Sequence, residues 1–161
     1  MSSVMKSFKF VVGEANLADS PGAQAVRLAI GDAFGDGKAG LPLQCTEYVA
    51  YRVKTKLGVD IVWPVQSGRN GGAWGEIFKH YGTYTVSEVP VKNSAMCITQ
   101  GISTDSEINA VGHVAFVERV LKDGSVQVSE ANWPRDGIFN KRTISKDEWQ
   151  NKYKAQFVRF V

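Results

Sequence analysis

Two rhythms divide this chain. Up to about residue 82 the apolar residues recur at helical spacing between glycine-rich breaks. Beyond that point they alternate, or run in short blocks rich in Val, Ile, Phe and Thr. A 3.6-residue period and a 2-residue period cannot serve one element, so their order along the chain sets the class: helices first and an antiparallel sheet after them, an α+β architecture.

The helical part has two clear members. In "LPLQCTEYVAYRV" (Leu41 to Val53) and its continuation, Val49, Val53 and Leu57 share one face, and Gly58 supplies a stop. "AWGEIFKHYG" is a short helix closed by Gly82, and "AQAVRLAIGDAF" from Ala23 places Val26, Ile30 and Ala33 on one side. "YTVSEVPV", "AMCITQ", "HVAFVERVL", "SVQVSEANW" and "AQFVRFV" read as strands. "KDG" joins the third and fourth of these as a hairpin. "SFKFVV" reads as a single short strand and "LADSPG" as a turn or linker. Residues 1–25 therefore form an N-terminal extension of unassigned role, and residues 26–161 the main domain.

Composition narrows the function. With 161 residues, 43% of them hydrophobic, the chain can bury one core without disulfide staples. A net charge of +3, with no cluster of Lys and Arg among aromatics, excludes a nucleic-acid footprint and suits a loose attraction to an anionic polymer or surface. Two cysteines are too few for a disulfide framework. The apolar run after Lys6 and Lys9 is broken by Glu14 and Asn16, so no signal peptide is expected, and no stretch has the apolar length of a membrane span.

The chemistry centres on Cys45, at the expected first turn of a helix. There the unsatisfied N–H groups and the positive end of the helix dipole favour a thiolate. A base must then be His80 or His113, the two histidines of the chain. His80 closes a short helix and reads as solvent-facing or as a C-terminal cap. His113 heads a strand, with His113, Ala115 and Val117 on one face and Val114, Phe116 and Glu118 on the other. On the next strand Glu130 and Asn132 are two apart, hence on one face, where an acceptor for the imidazole Nδ1–H would fix the ring. Cys97 and Trp149 read as core, and Glu118 and Arg119 as solvated or paired surface groups.

"QCTEYVAYR", "GHVAFVERV" and "GSVQVSEANW" closely resemble the CHAP domain, the cysteine, histidine-dependent amidohydrolase/peptidase family. The resemblance implies a papain-like fold, helices packed on a central antiparallel sheet, and cleavage of an amide bond in bacterial peptidoglycan without a required cofactor. It implies Cys45 as nucleophile, His113 as base, Glu130 as orienter and Asn132 as a further polar member. "SGRNGGAW" is similar to the family's Gly-Asn-Ala-x-x-Trp segment through Asn70 and Trp74, with Arg69 and Gly71 departing from it. Gln44 is a candidate oxyanion donor, and Trp74 and Trp133 are candidate groove walls. Some members hold calcium in an acidic loop before the cysteine. Here Asp36 and Glu47 are the candidates, while Lys38 stands where an acid is expected and opposes a hard cation.

These expectations describe a monomeric wall hydrolase, an amidase or an endopeptidase. It would be a phage lysin delivered by a holin or a virion, or an effector delivered by secretion machinery. The rivals are an NlpC-type peptidase, against which "QCTEY" argues, an amidase of a non-wall conjugate such as glutathionylspermidine, and an inactive wall-binding or virion structural module.

Overall fold

The computed structural model describes residues 7–161; the first six residues of the N-terminal extension lie outside it. Helix α1 spans Pro21–Ile30. It begins two residues before the expected Ala23 because the Ser20 side chain accepts the Ala23 N–H and Pro21 takes the first helical position, where no N–H is needed. Helix α2 is Cys45–Leu57 and ends on Gly58 at φ 70°. A 3₁₀ turn, Gly71–Ala73, leads into α3, Trp74–Tyr81, closed by Gly82. A short α4, Ser106–Val111, had no clear apolar rhythm; Asp105 caps it by accepting the Glu107 N–H.

Six strands form one antiparallel sheet: β1 Thr85–Ser87, β2 Ala95–Ile98, β3 His113–Val120, β4 Val126–Ala131, β5 Phe139–Ile144 and β6 Gln156–Arg159. Their order across the sheet is β1-β6-β2-β3-β4-β5. Alternation along β3 divides the core as its sequence requires. Val114 and Phe116 pack with Val49, Val53, Trp74 and Phe78 under the helices. Ala115 and Val117 pack on the opposite face with Met96, Val128, Trp149 and Phe157, beneath a π-helical turn at Glu148–Lys152.

Helix α2 is fastened to the sheet by a polar chain. A bulge in β3 between Val117 and Arg119 leaves Glu118 free to meet Arg52, whose Nε–H and Nη2–H donate to its two oxygens at 2.8 and 2.7 Å. Ser129 donates to the same carboxylate at 2.6 Å and accepts from the buried Tyr48 hydroxyl at 2.8 Å. Of the two expectations for Glu118, solvated or paired, the structure shows the pair, and the pair is partly buried.

The structure departs from the sequence at two elements. The residues of "SFKFVV" from Ser7 onward form no strand. Phe10 instead packs on Tyr48 and Phe139, with ring centroids 5.5 and 5.1 Å apart, and the Phe8 N–H donates to the Tyr51 hydroxyl. The chain then runs along β5: the Gly13 N–H donates to the Phe139 carbonyl, and the Phe139 N–H to the Glu14 carbonyl. Strand β5 is the other departure: the sequence assigns no element to it, because its middle, Asn140 to Thr143, is polar.

Candidate active site

Cys45 is the first residue of α2 and is partly exposed. Its thiol lies within hydrogen-bonding reach of His113 and of the backbone N–H groups of Val114 and Thr46. Burial alone would push this thiol up; the His113 hydrogen bond and charge, with the two N–H groups, more than reverse that and hold it below the ordinary thiol range. Close backbone approach makes this corner. A Cβ on Gly71 would stand 2.9 Å from the Val114 nitrogen, so only glycine lets the 3₁₀ turn lie against the head of β3.

His113 is buried, and its Nε2 meets Glu130 Oε1 at 2.8 Å. The expected contact was through Nδ1; engagement of Nε2 leaves Nδ1 for the thiol. Because Phe116 pairs with Ser129, Glu130 falls diagonally across from His113 on the same face. Desolvation would lower the imidazole, but hydrogen bonds to Cys45 and Glu130 push it up to about 9. Burial would raise the wholly buried Glu130; His113 and Arg142 hold it below the usual carboxylate range.

Residues the sequence reading missed complete this wall. From β5, the Arg142 Nε–H donates to Glu130 Oε2 at 2.8 Å, and Asn140 donates to the same oxygen at 3.3 Å. Trp133 packs against His113 with ring centroids 4.9 Å apart, and the Arg142 guanidinium lies over the same indole, 4.3 Å from its ring centroid. The four consecutive polar residues Asn140 to Thr143 give β5 no apolar alternation, so the sequence held no strand signal that could have pointed to Arg142.

The remaining expected residues separate. Asn132 is not on the strand face with Glu130: β4 ends at Ala131, and Asn132 turns away at φ 61°. Its Nδ2 donates to Gln44 Oε1 at 3.3 Å, and its Oδ1 accepts the Gly137 N–H at 2.9 Å. It therefore braces the residue before the nucleophile rather than the imidazole. Gln44 also donates to the Pro42 carbonyl at 2.8 Å. Asn70 is exposed at the turn beside His113. Trp74 is wholly buried among Phe34, Trp63 and Phe78, so it is core and not a groove wall. Cys97 and Trp149 are buried, and His80 is exposed on the last turn of α3.

The calcium candidates do not fit a metal. Glu47 is wholly buried, and its two oxygens accept from Arg27 at 2.7 and 2.9 Å, one of them also from the Gln44 N–H. A guanidinium thus fills the cationic role between loop and helix. Asp36, nearby, is pushed up to about 6 by burial and by the Glu47 carboxylate. Among the described residues, no group of three acidic, His or Cys side chains is placed to hold a metal ion.

A thiol on a helix N-terminus, an imidazole at a strand head and a carboxylate behind it make the layout of a papain-like cysteine nucleophile site. The chain belongs to the CHAP domain family, whose model matches residues 35–132. Over 106 residues, 65% of this chain, it is 38% identical to the staphylococcal secretory antigen ssaA2 of Staphylococcus aureus strain NCTC 8325. It is 36% identical to the antigen SsaA of Staphylococcus epidermidis strain RP62A, again over 65% of the chain. The matches span 34% and 35% of those relatives, about a third of their length. Its structure is similar to that of an N-acetylmuramoyl-L-alanine amidase from Staphylococcus aureus, with a TM-score of 0.58 and 31% identity, covering 72% of this chain and 30% of that one. It shares its fold with Ly7917, with a TM-score of 0.51 and 15% identity, over 71% of this chain and 52% of that one.

Proposed function

We propose that the protein hydrolyses an amide bond of bacterial peptidoglycan, with Cys45 as nucleophile, His113 as general base and acid, and Glu130 as the group that orients His113. The carrying observation is the row Cys45–His113–Glu130, built from the head of a helix and two paired strands. The Cys45 thiolate attacks the amide carbonyl carbon, and the developing oxyanion is met by the Cys45 backbone N–H, free at the helix start, with Gln44 beside it. The His113 imidazolium gives its proton to the leaving amine as the C–N bond breaks. His113, now neutral, takes a proton from water as its oxygen attacks the thioester; the C–S bond breaks, freeing the carboxylic acid and restoring the Cys45 thiolate beside the His113 imidazolium.

Membership of the CHAP family and likeness to a structure named as an amidase support the wall as substrate. Both an N-acetylmuramoyl-L-alanine amidase and a stem or cross-bridge endopeptidase use this same site. Purified protein and a Cys45→Ala variant, incubated with peptidoglycan, are expected to differ: the native chain releases fragments and the variant none. Mass spectrometry of the fragments identifies the bond, free stem peptides for an amidase and opened cross-links for an endopeptidase. Equal release by both proteins removes Cys45 from the mechanism.

A further inference from the structure

We propose that Arg142 is a positioning residue of this site: by gripping Glu130 and capping Trp133, it keeps the Cys45–His113 pair charged. The inference rests on the cysteine-nucleophile reading above. Arg142 contributes Nε–H and Nη2–H to the two oxygens of Glu130, at 2.8 and 3.3 Å, while His113 uses Oε1. Its Nη1–H donates to the Tyr153 hydroxyl at 3.2 Å, which anchors the far end of the guanidinium. The guanidinium also sits over Trp133, which itself covers the His113 ring. One side chain thereby sets both the carboxylate and the indole that confine the imidazole.

The charges alternate along this row: Arg142 positive, Glu130 negative, His113 positive, Cys45 negative. The groups facing it are few. Helix α2 supplies Cys45, with Glu47 behind it already paired to Arg27; β3 supplies His113; β4 supplies Glu130; β5 supplies Arg142 and the neutral Asn140; Tyr153 follows the π-helical turn. With Arg142 in place the row is neutral overall. Without it one negative charge is in excess in a site where Glu130 is wholly buried and His113 nearly so. Uptake of a proton relieves that excess, and the thiolate is the end of the row that can accept it with least rearrangement.

The test reads the thiolate directly rather than wall hydrolysis. The rate of Cys45 alkylation by iodoacetamide is followed against pH, with the adduct located by mass spectrometry, in the native chain and in Arg142→Gln and Arg142→Lys variants. The native midpoint is expected below that of an ordinary thiol. In Arg142→Gln it moves up by about one pH unit, the size of effect a close unit charge has on a partly closed site. Arg142→Lys, which keeps the charge but loses the second bond to Glu130, moves it about half as far. A folded Gln variant, verified by circular dichroism, with the native midpoint overturns the proposal. If the Gln variant does not fold, an unchanged midpoint in the Lys variant overturns it equally. An ordinary midpoint in the native chain overturns the nucleophile reading and this inference together. A lowered midpoint that moves in the variants supports the inference even if no wall fragment is ever released, in which case only the substrate assignment falls.

Discussion

Cys45 and Cys97 are the same group in opposite settings. Cys97, inside β2, has little besides apolar neighbours and a backbone N–H, and burial drives its thiol far above the ordinary range. Cys45 meets an imidazole and two backbone N–H groups, and its thiol falls below it. Surroundings, not residue type, separate nucleophile from filler. The coupled pair predicts a bell-shaped dependence of wall hydrolysis on pH. The acid limb lies below the ordinary thiol range, where Cys45 takes up its proton. The alkaline limb lies near about 9, where His113 loses the proton needed by the leaving amine. Initial clearing rates of wall suspensions across pH measure both limbs; a rate that only climbs, as for a free thiol, contradicts the pairing.

At the scale of elements, α2 and β3 were legible and β5 was not. Val49, Val53 and Leu57 announce α2 because a buried helix face must be apolar, and Gly58 ends it because the αL turn favours glycine. Strand β5 borders the sheet and has Lys141 and Thr143 exposed, so its pairing is set by β4 and the segment at Gly13–Asn16 rather than by an apolar pattern of its own. Arg142 and Asn140 were lost with it. The seat of α2 relies on another invisible pairing, Arg27 of α1 with Glu47, both buried, with Arg27 also donating to the Leu41 and Pro42 carbonyls ahead of the nucleophile. Removing one partner leaves a buried charge. Arg27→Met is expected to cost about 3–5 kcal/mol, and adding Glu47→Gln to recover part of it. Thermal unfolding of the single and double variants measures this; equal loss in both contradicts a paired role.

Over the whole molecule, the N-terminal segment from Phe8 to Asn16 is packed onto the domain rather than hanging from it. It borders an open groove of about 650 Å³ formed with α2, β4 and β5, lined by Phe10, Tyr48, Tyr51, Lys141 and Thr143 among others. Phe10 stacks against Phe139 of β5 and meets Tyr48 and Tyr51 of α2 edge-on, so it bridges the two elements that carry Cys45 and Arg142. Phe10→Ala is expected to destabilise the fold by about 2 kcal/mol, less than for a fully buried phenylalanine because the ring is only half-buried. A urea unfolding midpoint unchanged by the substitution would show the segment to be a passive covering.

The amino-acid sequence by itself determined the class of fold, the helix that begins at Cys45, the strand that begins at His113 and the placement of Glu130 on the neighbouring strand. Each is set by local periodicity, by glycine stops or by a hairpin of short span, which act between residues close along the chain. The tertiary structure alone decided which imidazole nitrogen meets Glu130, that Trp74 is core while Trp133 covers the histidine, that Asn132 turns to Gln44, and that Arg27 and Arg142 neutralise the two buried glutamates. Those outcomes depend on the meeting of groups far apart in the chain. A charge can be placed only once its surroundings are known, because burial and pairing act on it in opposite directions and the balance is struck only in the assembled site.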